Sequence, residues 1–475
     1  MTAIPRLPPL IQTLLDPHRL PHPVERVELM ETHISWVLLA GAFAYKIKKP
    51  VTLPFLDYGT LERRRACCEA ELRLNRRYAP DLYLEVVEFD GEPAVKMRRF
   101  DETGRLDHVS ARGELTAAQL SELARMVVAF HGNAAVAATD TRFGEPVQVL
   151  AAALENFDEL DVLLPAEAPL LRRLRQWTLD EFARRRDAFL ERKASGQVRE
   201  CHGDLHLGNL VLLDGKVTPF DCIEFNEGFR WIDVASEIAF TYVDLLDHGK
   251  PGLACWLLNE WLTWSGDFSA LAVMRFYAVY RAMVRGKVAA IRGIAADAAD
   301  YLTMADKLAT PPRPSLVITC GLSGSGKTTA STARLLADDA AVTIRLRSDV
   351  ERKRLFGLAP DANSGGTIYG AEATARTYAR LAELAGQALT DGWSVIVDAA
   401  FLKHAERADF RRLADSCGAP FSILFCAAPE AELRRRLDAR SGDASEATAR
   451  VLEQQLNWLE PLSAEEVALA MPPAT

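Results

Sequence analysis

The 475-residue chain predicts two domains. The first is α+β, a β-rich lobe followed by a helical lobe, and the second is α/β on a parallel sheet. Three observations carry this expectation. Strand-like alternation dominates up to about residue 100, and helical patterning takes over from about 101 to 309. The proline-rich stretch Thr310-Pro-Pro-Arg-Pro-Ser315 then stops the helical pattern and stiffens a short linker. Directly after it, the apolar run Leu316-Val-Ile-Thr-Cys320 leads through a glycine-rich loop into a helical stretch. The expected divisions are 1–309 (small lobe about 24–100, helical lobe about 101–309), a linker at 310–314, and 315–475.

Composition narrows the class. A hydrophobic content of 49% with 25% charged residues is that of a globular protein able to bury full-sized cores. No apolar run reaches the ~18 residues that would suggest a membrane span. Met1 to Leu20 lacks the basic start and apolar stretch of a secretory signal. The 8 cysteines are scattered without a C-x-x-C pair, which fits reduced thiols and a cytoplasmic location. The net charge is −9, and neither part of the chain carries a basic excess, so bulk electrostatic binding of nucleic acid is not expected. A small, locally basic acceptor site is compatible with that balance.

In chain order, Val24 to Lys49 reads as β structure, with Trp36-Val-Leu-Leu and Phe43-Ala-Tyr-Lys-Ile-Lys flanking a turn at Gly41. A helix is expected from about Leu61 to Tyr78, ended by Pro80, and a strand pair around the Asp90-Gly91 turn. Residues from Thr116 to Leu190 are largely helical in pattern. A β segment follows at Leu210-Val-Leu-Leu, with a turn at Asp214-Gly215 and a second strand from Val217 to Phe220, and the rest to Leu308 is mostly helical.

Gly321-Leu-Ser323-Gly324-Ser325-Gly326-Lys327-Thr328 fits G-x-x-x-x-G-K-[ST] between a strand and a helix. Glycines let backbone N–H groups converge on phosphates, and the helix N-terminus adds a positive dipole end. Lys327 is placed to reach the β- and γ-phosphates, the Thr328 hydroxyl to hold Mg²⁺, and Thr329 continues the loop into the helix. Ser394-Val-Ile-Val-Asp398 reads as a buried strand ending in a carboxylate suited to the Mg²⁺ shell, or to capping a helix. In Arg347-Ser-Asp349-Val-Glu-Arg352, Asp349 can take the proton of an attacking hydroxyl and Arg352 can pair with an acceptor phosphate, or Asp349 can simply cap the helix. Arg436 and Arg440 share a face of a basic helix that can close over the triphosphate or remain a solvated face.

The stretch from Ser315 to about Leu462 resembles the P-loop kinases that include polynucleotide 5′-hydroxyl kinases, chloramphenicol phosphotransferase and zeta toxins. The loop, Arg347-Ser-Asp349-Val-Glu-Arg352-Lys-Arg, Val397-Asp398-Ala and the arginine-rich helix carry the likeness. It implies the base role for Asp349 and the acceptor-phosphate role for Arg352. It is specific for ATP use and weak for the acceptor.

Cys201-His-Gly-Asp204-Leu-His-Leu-Gly-Asn209 precedes the β-hairpin, and Thr218-Pro-Phe-Asp221-Cys-Ile-Glu224 lies on its second strand and beyond. An Asp on a loop can deprotonate an acceptor hydroxyl, while Asn209 and Asp221 converge on Mg²⁺. His202 and His206 have no third ligand in the pattern, so His206 is read as supporting the loop.

These residues resemble the catalytic loop of aminoglycoside phosphotransferases, choline kinases and related small-molecule kinases, which implies a bilobal, protein-kinase-like fold. The resemblance makes Asp204 the catalytic base and Asn209 and Asp221 the metal ligands, and it gives Glu237, in Asp233-Val-Ala-Ser-Glu237, a loop-supporting role. It also implies a nucleotide-covering loop, matched by Thr32-His-Ile-Ser35, and a phosphate lysine, matched by Lys46 with Lys48 as the fallback. The lysine's partner is Glu69 or Glu71, and Met97 lies where the adenine-contacting hinge belongs. The covering loop lacks the glycine pair of many relatives. The likeness covers roughly 24–300.

The sequence therefore predicts a bifunctional ATP-dependent phosphotransferase with two Mg·ATP sites, each acting on a hydroxyl of a small molecule or a nucleic-acid end. The alternative is one active P-loop kinase with an N-terminal kinase-like regulatory or binding module.

Overall fold

The computed structural model describes residues 7–53, 55–365, 368–439, 446 and 449–472. They form two units, Met1–Val149 with Leu190–Asp244, and Leu150–Phe189 with Leu245–Thr475. The proline-rich segment 310–314 lies inside the second unit, between a helix and a strand.

Period-two alternation builds the sheet of the first unit. Strands β1 (Val27–Glu31), β2 (Ser35–Ala40) and β3 (Phe43–Lys48) precede a small hairpin of β4 (Thr52–Leu53) and β5 (Leu56–Asp57). With β6 (Tyr83–Phe89) and β7 (Glu92–Arg98) they give an antiparallel five-stranded sheet in the order β1-β2-β3-β7-β6. One face buries Trp36, Leu38, Tyr45 and Ile47 against Ile11 and Leu14 of α1 (Pro9–Leu14). The residues between them, Val37, Ala44, Lys46 and Lys48, take the opposite face. Helix α2 (Leu61–Asn75), capped by the Thr60 side chain, packs Cys68 and Leu72 against Tyr83 and Val95.

Helices α3 (Leu106–Ala111) and α4 (Ala117–Asn133) follow. Then α5 (Pro146–Leu163) and α6 (Ala168–Ala194) carry the chain into the second unit and back. Strands β8 (Val198–Glu200) and β11 (Trp231–Asp233) pair antiparallel, and between them β9 (Leu210–Leu213) and β10 (Lys216–Pro219) form a hairpin. Its turn has positive φ at both Asp214 (52°) and Gly215 (80°), as a two-residue hairpin loop requires. Helices α7 (Glu227–Arg230) and α8 (Val234–Asp247) complete this part.

The second unit holds a parallel sheet of β12 (Leu316–Cys320), β13 (Thr343–Arg347), β14 (Ser394–Asp398), β15 (Phe421–Phe425) and β16 (Ala470–Met471), in the order β13-β14-β12-β15-β16. Every residue of β12 is buried, as a central parallel strand must be. Helices α9 (Pro251–Ser265), α10 (Leu271–Ile291) and α11 (Ala295–Ala309) precede this sheet in the chain and share its unit, α9 packing on β13 and α11 on α10. The helices interleaved with the strands are α12 (Lys327–Leu336), α13 (Ser348–Leu355), α14 (Ala371–Thr390), α15 (His404–Ser416), α16 (Glu430–Asp438), α17 (Ala449–Trp458) and α18 (Ala464–Leu469). Among the described residues, no helix is long and apolar enough to cross a membrane.

Edge strand β13 is closed by a side chain. The Asn259 amide of α9 donates to the Thr343 carbonyl (2.8 Å) and accepts from the Arg345 N–H (2.6 Å), taking the place of a neighbouring strand. The helix comes so close to α12 that a Cβ on Gly252 would lie 1.9 Å from the Leu336 carbonyl oxygen. Trp393 Nε1 donates to the Leu271 carbonyl (3.1 Å), which ties α10 to the start of β14. Asn259→Leu keeps the volume but strands two backbone groups, so the second unit is expected to lose about 1–3 kcal/mol. A lower denaturant midpoint in a tryptophan-fluorescence melt checks this, and an unchanged midpoint would show that water replaces the amide.

Candidate active sites

In the first unit, β3 aims Lys46 and Lys48 at one buried carboxylate. Lys46 Nζ donates to Glu71 Oε1 (2.8 Å) and Lys48 Nζ to Glu71 Oε2 (2.7 Å), so Glu71 rather than the exposed Glu69 is the lysine partner. Lys46 also pairs with Asp221, and Lys48 with Glu224. Burial disfavours the Lys46 charge, but Asp221 and Glu71 outweigh it and hold its pKa above the ordinary lysine value. Burial likewise pushes the Glu71 carboxyl up, and the two lysines bring it below the usual carboxylate range.

Asp204 and Asn209 sit on the loop before β9. Asn209 Nδ2 donates to both the Asp204 carbonyl and its Oδ2 (3.0 Å each), which leaves the Asn209 amide oxygen as an available donor to a cation. His206 Nδ1 accepts from the Gly208 N–H (3.1 Å), so its Nε2 carries the proton and stands 3.4 Å from Asp204 Oδ2. His202 is likewise a loop support, with Nε2 donating to the Phe220 carbonyl (2.9 Å) and Nδ1 accepting from the Asp204 N–H (3.3 Å).

Two buried acids on α8 hold the loop backbone. Glu237 accepts from the N–H groups of His202 and Gly203 (2.9 Å each), and Asp244 accepts from the Leu207 N–H (2.8 Å). A Cβ on Gly203 would come 2.6 Å from the Phe229 carbonyl oxygen, so glycine is required at this positive φ of 89°.

Ser35 and Met97, the expected nucleotide contacts of the small lobe, both lie on strands. Ser35 opens β2 instead of lying in a covering loop, because the Thr32 hydroxyl accepts from the Ser35 N–H (2.9 Å) and closes the turn early. Met97, on β7 opposite Ala44, packs with Tyr83 and Val95. An open cleft of about 630 Å³ is lined by Met30, Leu39, Gly41, Arg99, Phe100 and Asp101.

In the second unit, the loop 321–328 joins β12 to α12. Positive φ at Gly324 (83°) and Gly326 (92°) turns the chain, and a Cβ on Gly321 would meet the Cys426 carbonyl oxygen at 2.1 Å. Lys327 Nζ donates to the Leu322 carbonyl (2.8 Å), Ser323 N–H to Gln455 Oε1 (2.7 Å), and Ser325 N–H to the Leu322 carbonyl (3.1 Å). Thr328 is half-buried in the first turn of α12, and Thr329 is exposed.

Asp398 ends β14, is 6% exposed, and accepts from the Ser331 hydroxyl of α12 (3.1 Å). Parallel pairing sets Arg347 of β13 beside it, at the carboxyl ends of the strands where open α/β sheets bind ligands. Asp349 lies in the first turn of α13, whose N-cap is Arg347, so Asp349 is not the capping residue. Buried Arg352 donates to the Ile368 carbonyl (3.3 Å) and Thr374 Oγ1 (3.2 Å) and stacks over Tyr369 (5.0 Å). Arg436 of α16 donates to the Gly324 carbonyl (3.2 Å), while Arg440 lies outside the described residues.

Both sites offer oxygen donors, Asp221 with Asn209 and Asp398 with Thr328. Carboxylate, amide and hydroxyl oxygens fit a hard divalent cation such as Mg²⁺.

The model of the phosphotransferase enzyme family matches residues 64–253, and that of the AAA domain matches 316–462. An uncharacterized protein of Mycobacterium tuberculosis (strain ATCC 25618 / H37Rv) is 30% identical over 466 residues, covering 92% of each chain. An uncharacterized protein of Mycobacterium bovis (strain ATCC BAA-935 / AF2122/97) matches with the same values. The chain belongs to their family. It joins a phosphotransferase-family domain to a P-loop kinase domain, and it is a kinase. Solved structures similar to its first part include a GDP complex of aminoglycoside 2′-phosphotransferase-IIIa (14% identity, 63% of this chain and 98% of that one, TM-score 0.41). Choline kinase from Cryptosporidium parvum Iowa II is another (11%, 60% and 88%, TM-score 0.42). The Mycobacterium tuberculosis APS kinase in complex with AMPPNP and APS is similar to a smaller part (24%, 35% and 91%, TM-score 0.26).

Several residues of this kinase were not legible in its motifs. Tyr58, Tyr83 and Asn75 contact the segment around Asp221, and Gln455 contacts the P-loop, each across a long sequence separation. Nothing in their local pattern marks them.

Burial pushes the Glu237 carboxyl up, and the pull of His131, His202 and the loop N–H groups overrides it, leaving a value of about 2 against the ordinary 4.5. His131 Nε2, 3.6 Å from Oε1, acts at a distance beyond a hydrogen bond. Because the folded value is the lower one, the stabilisation is complete above 4.5 and lost as pH falls toward about 2. Glu237→Gln should therefore lower the denaturant midpoint most near neutral pH, with the gap to wild type closing across that acid window. A gap that stays constant with pH would refute the assignment.

Proposed function

We propose that the chain is a bifunctional ATP-dependent phosphotransferase with two Mg·ATP sites, each passing the γ-phosphoryl group to an acceptor hydroxyl. The observation that carries this reading is the pairing of Lys46 with both Glu71 and the metal-ligand candidate Asp221, in the same unit as Asp204 and Asn209. A purely binding or regulatory module has no need of a base held by an Asn209 hydrogen bond with His206 Nε2 standing 3.4 Å away. The span matched by the phosphotransferase family contains Glu71, Asp204, Asn209 and Asp221, and the AAA-domain span contains Lys327, Asp349, Arg352 and Asp398.

At the first site Asp204 takes the acceptor proton, and Asn209 and His206 orient its carboxylate. Lys46 binds the phosphates. Asn209 and Asp221 would hold Mg²⁺, which supplies charge neutralisation at the phosphates. At the second site the glycine loop and Lys327 cradle the triphosphate, Thr328 and Asp398 would hold the cation, and Asp349 is the base. Arg352 faces an anionic group on the acceptor, and Arg436 braces the loop. The acceptors are hydroxyls of small molecules or nucleic-acid ends.

Labelled γ-phosphate transfer to aminoglycosides, sugars, nucleosides and 5′- and 3′-hydroxyl oligonucleotides tests this. Asp204→Ala is expected to lower one transfer activity by about 10²–10⁴-fold and leave the other. Lys327→Ala should do the reverse and retain one equivalent of bound ATP. If neither substitution reduces any transfer, the two-site reading is wrong.

A further inference from the structure

Resting on this reading of the first site, we propose that Lys48, Glu224 and Tyr58 form a ligand-independent latch that positions Asp221 and leaves Lys46 available to phosphate. Lys46 and Lys48 share one face of β3, yet their surroundings differ. The Lys46 side chain is 12% exposed and that of its partner Asp221 44%, so a ligand can reach this pair. Lys48 is 0% exposed and Glu224 4%, so the second pair is sealed. Tyr58 closes it, donating its hydroxyl to Glu224 and accepting from Lys48 Nζ (3.2 Å), with the ammonium 4.9 Å from the ring centre.

Charge accounting shows why the second lysine matters. Glu71, Asp221 and Glu224 are three carboxylates facing two ammonium groups. With Lys48 on Glu224, and Lys46 on Glu71, Asp221 is the carboxylate left for a cation. Without Lys48, Lys46 alone would face all three acids and be withheld from phosphate.

The backbone supports the same conclusion. Asp221 has φ 64°, a left-handed conformation that a non-glycine residue keeps only when its surroundings impose it. Each residue of the segment is tied separately. Asp221 N–H donates to the Tyr83 hydroxyl (2.9 Å), Cys222 N–H to Asn75 Oδ1 (2.9 Å) and Ile223 N–H to the His202 carbonyl (3.1 Å). Glu224 adds a side-chain tie to β3, and Arg230 Nη1 donates to its carbonyl (3.2 Å). Drawing Lys46 and Asp221 apart therefore leaves the segment anchored at its far end.

The test uses the full chain with Lys327→Ala, so that ATP binding reports the first site. The double variant Lys48→Met/Glu224→Gln removes one charge of each sign, and Tyr58→Phe removes only the hydroxyl. Amide hydrogen exchange over residues 220–225 is measured without ligand, and ATP binding is titrated calorimetrically against Mg²⁺. The double variant is expected to exchange faster there and to need about 10–100-fold more Mg²⁺ for half-maximal binding, as loss of a ligand-orienting neighbour does. Its ATP affinity at saturating Mg²⁺ should change far less, and Tyr58→Phe should shift the Mg²⁺ dependence in the same direction by a smaller factor. A folded double variant with unchanged exchange and Mg²⁺ dependence, or with affinity lost equally at all Mg²⁺ concentrations, overturns the latch. If the double variant does not fold, an unchanged Mg²⁺ dependence in Tyr58→Phe overturns it. Absence of Mg·ATP binding in the Lys327→Ala parent overturns the reading of the site itself, a distinguishable result.

Discussion

A carboxylate with no exposed surface stays charged only if cations or hydrogen-bond donors reach both of its oxygens, and Glu71 meets that condition with two lysines. Much of the first site follows from this. The lysines must be two residues apart so that both leave the same face of β3, and α2 must set Glu71 against that face. Once Lys46 and Lys48 are fixed, their remaining charge draws in Asp221 and Glu224, which come from the far side of the β9–β10 hairpin. One buried acid thus organises a strand, a helix and the segment 221–224, which are distant in sequence.

The two loops solve the problem of unpaired backbone groups in opposite ways. In the first, the N–H groups of His202, Gly203 and Leu207 are consumed by the buried acids Glu237 and Asp244. That loop can present only side chains, and Asp204 and Asn209 are the ones it presents. The loop at 321–328 is shaped by glycines at positive φ and by close approach to the Cys426 carbonyl, a geometry suited to backbone recognition of phosphate. On the proposed reading, this difference accounts for a phosphate lysine drawn from a remote strand in the first site and one carried within the loop in the second.

The parts of these sites that were legible are those in which chemistry is contiguous. The strand–loop–helix at Leu316 to Leu336 and the run from Cys201 to Asn209 write their geometry into local spacing. Period two also put Lys46 and Lys48 on one face. It could not show that both would be used, because Glu224 and Tyr58 reach Lys48 only after folding. Ser35 opens a strand and Met97 packs in part against a core, local placements that no pattern records. The residues up to Leu308 were recognisable as mostly helical, without showing which faces are buried. What those faces bury against is decided by details such as Asn259 and Gly252, which look ordinary in sequence.

The resting partners of the two lysines carry a consequence for the proposed chemistry. Lys327 Nζ donates to the neutral Leu322 carbonyl of its own loop, a charge-assisted hydrogen bond. Lys46 is held by Asp221, the same carboxylate offered to the cation. On the proposed reading, a cation at Asp221 and a phosphate at Lys46 would each remove the other's competitor, so metal and nucleotide would reinforce one another through this ion pair. In the second unit the Ser331 hydroxyl donates to Asp398, and Lys327 donates to a carbonyl of its own loop. In the proposed chemistry, the linkage of metal and nucleotide at the first site therefore traces to the oxygen on which Lys46 rests.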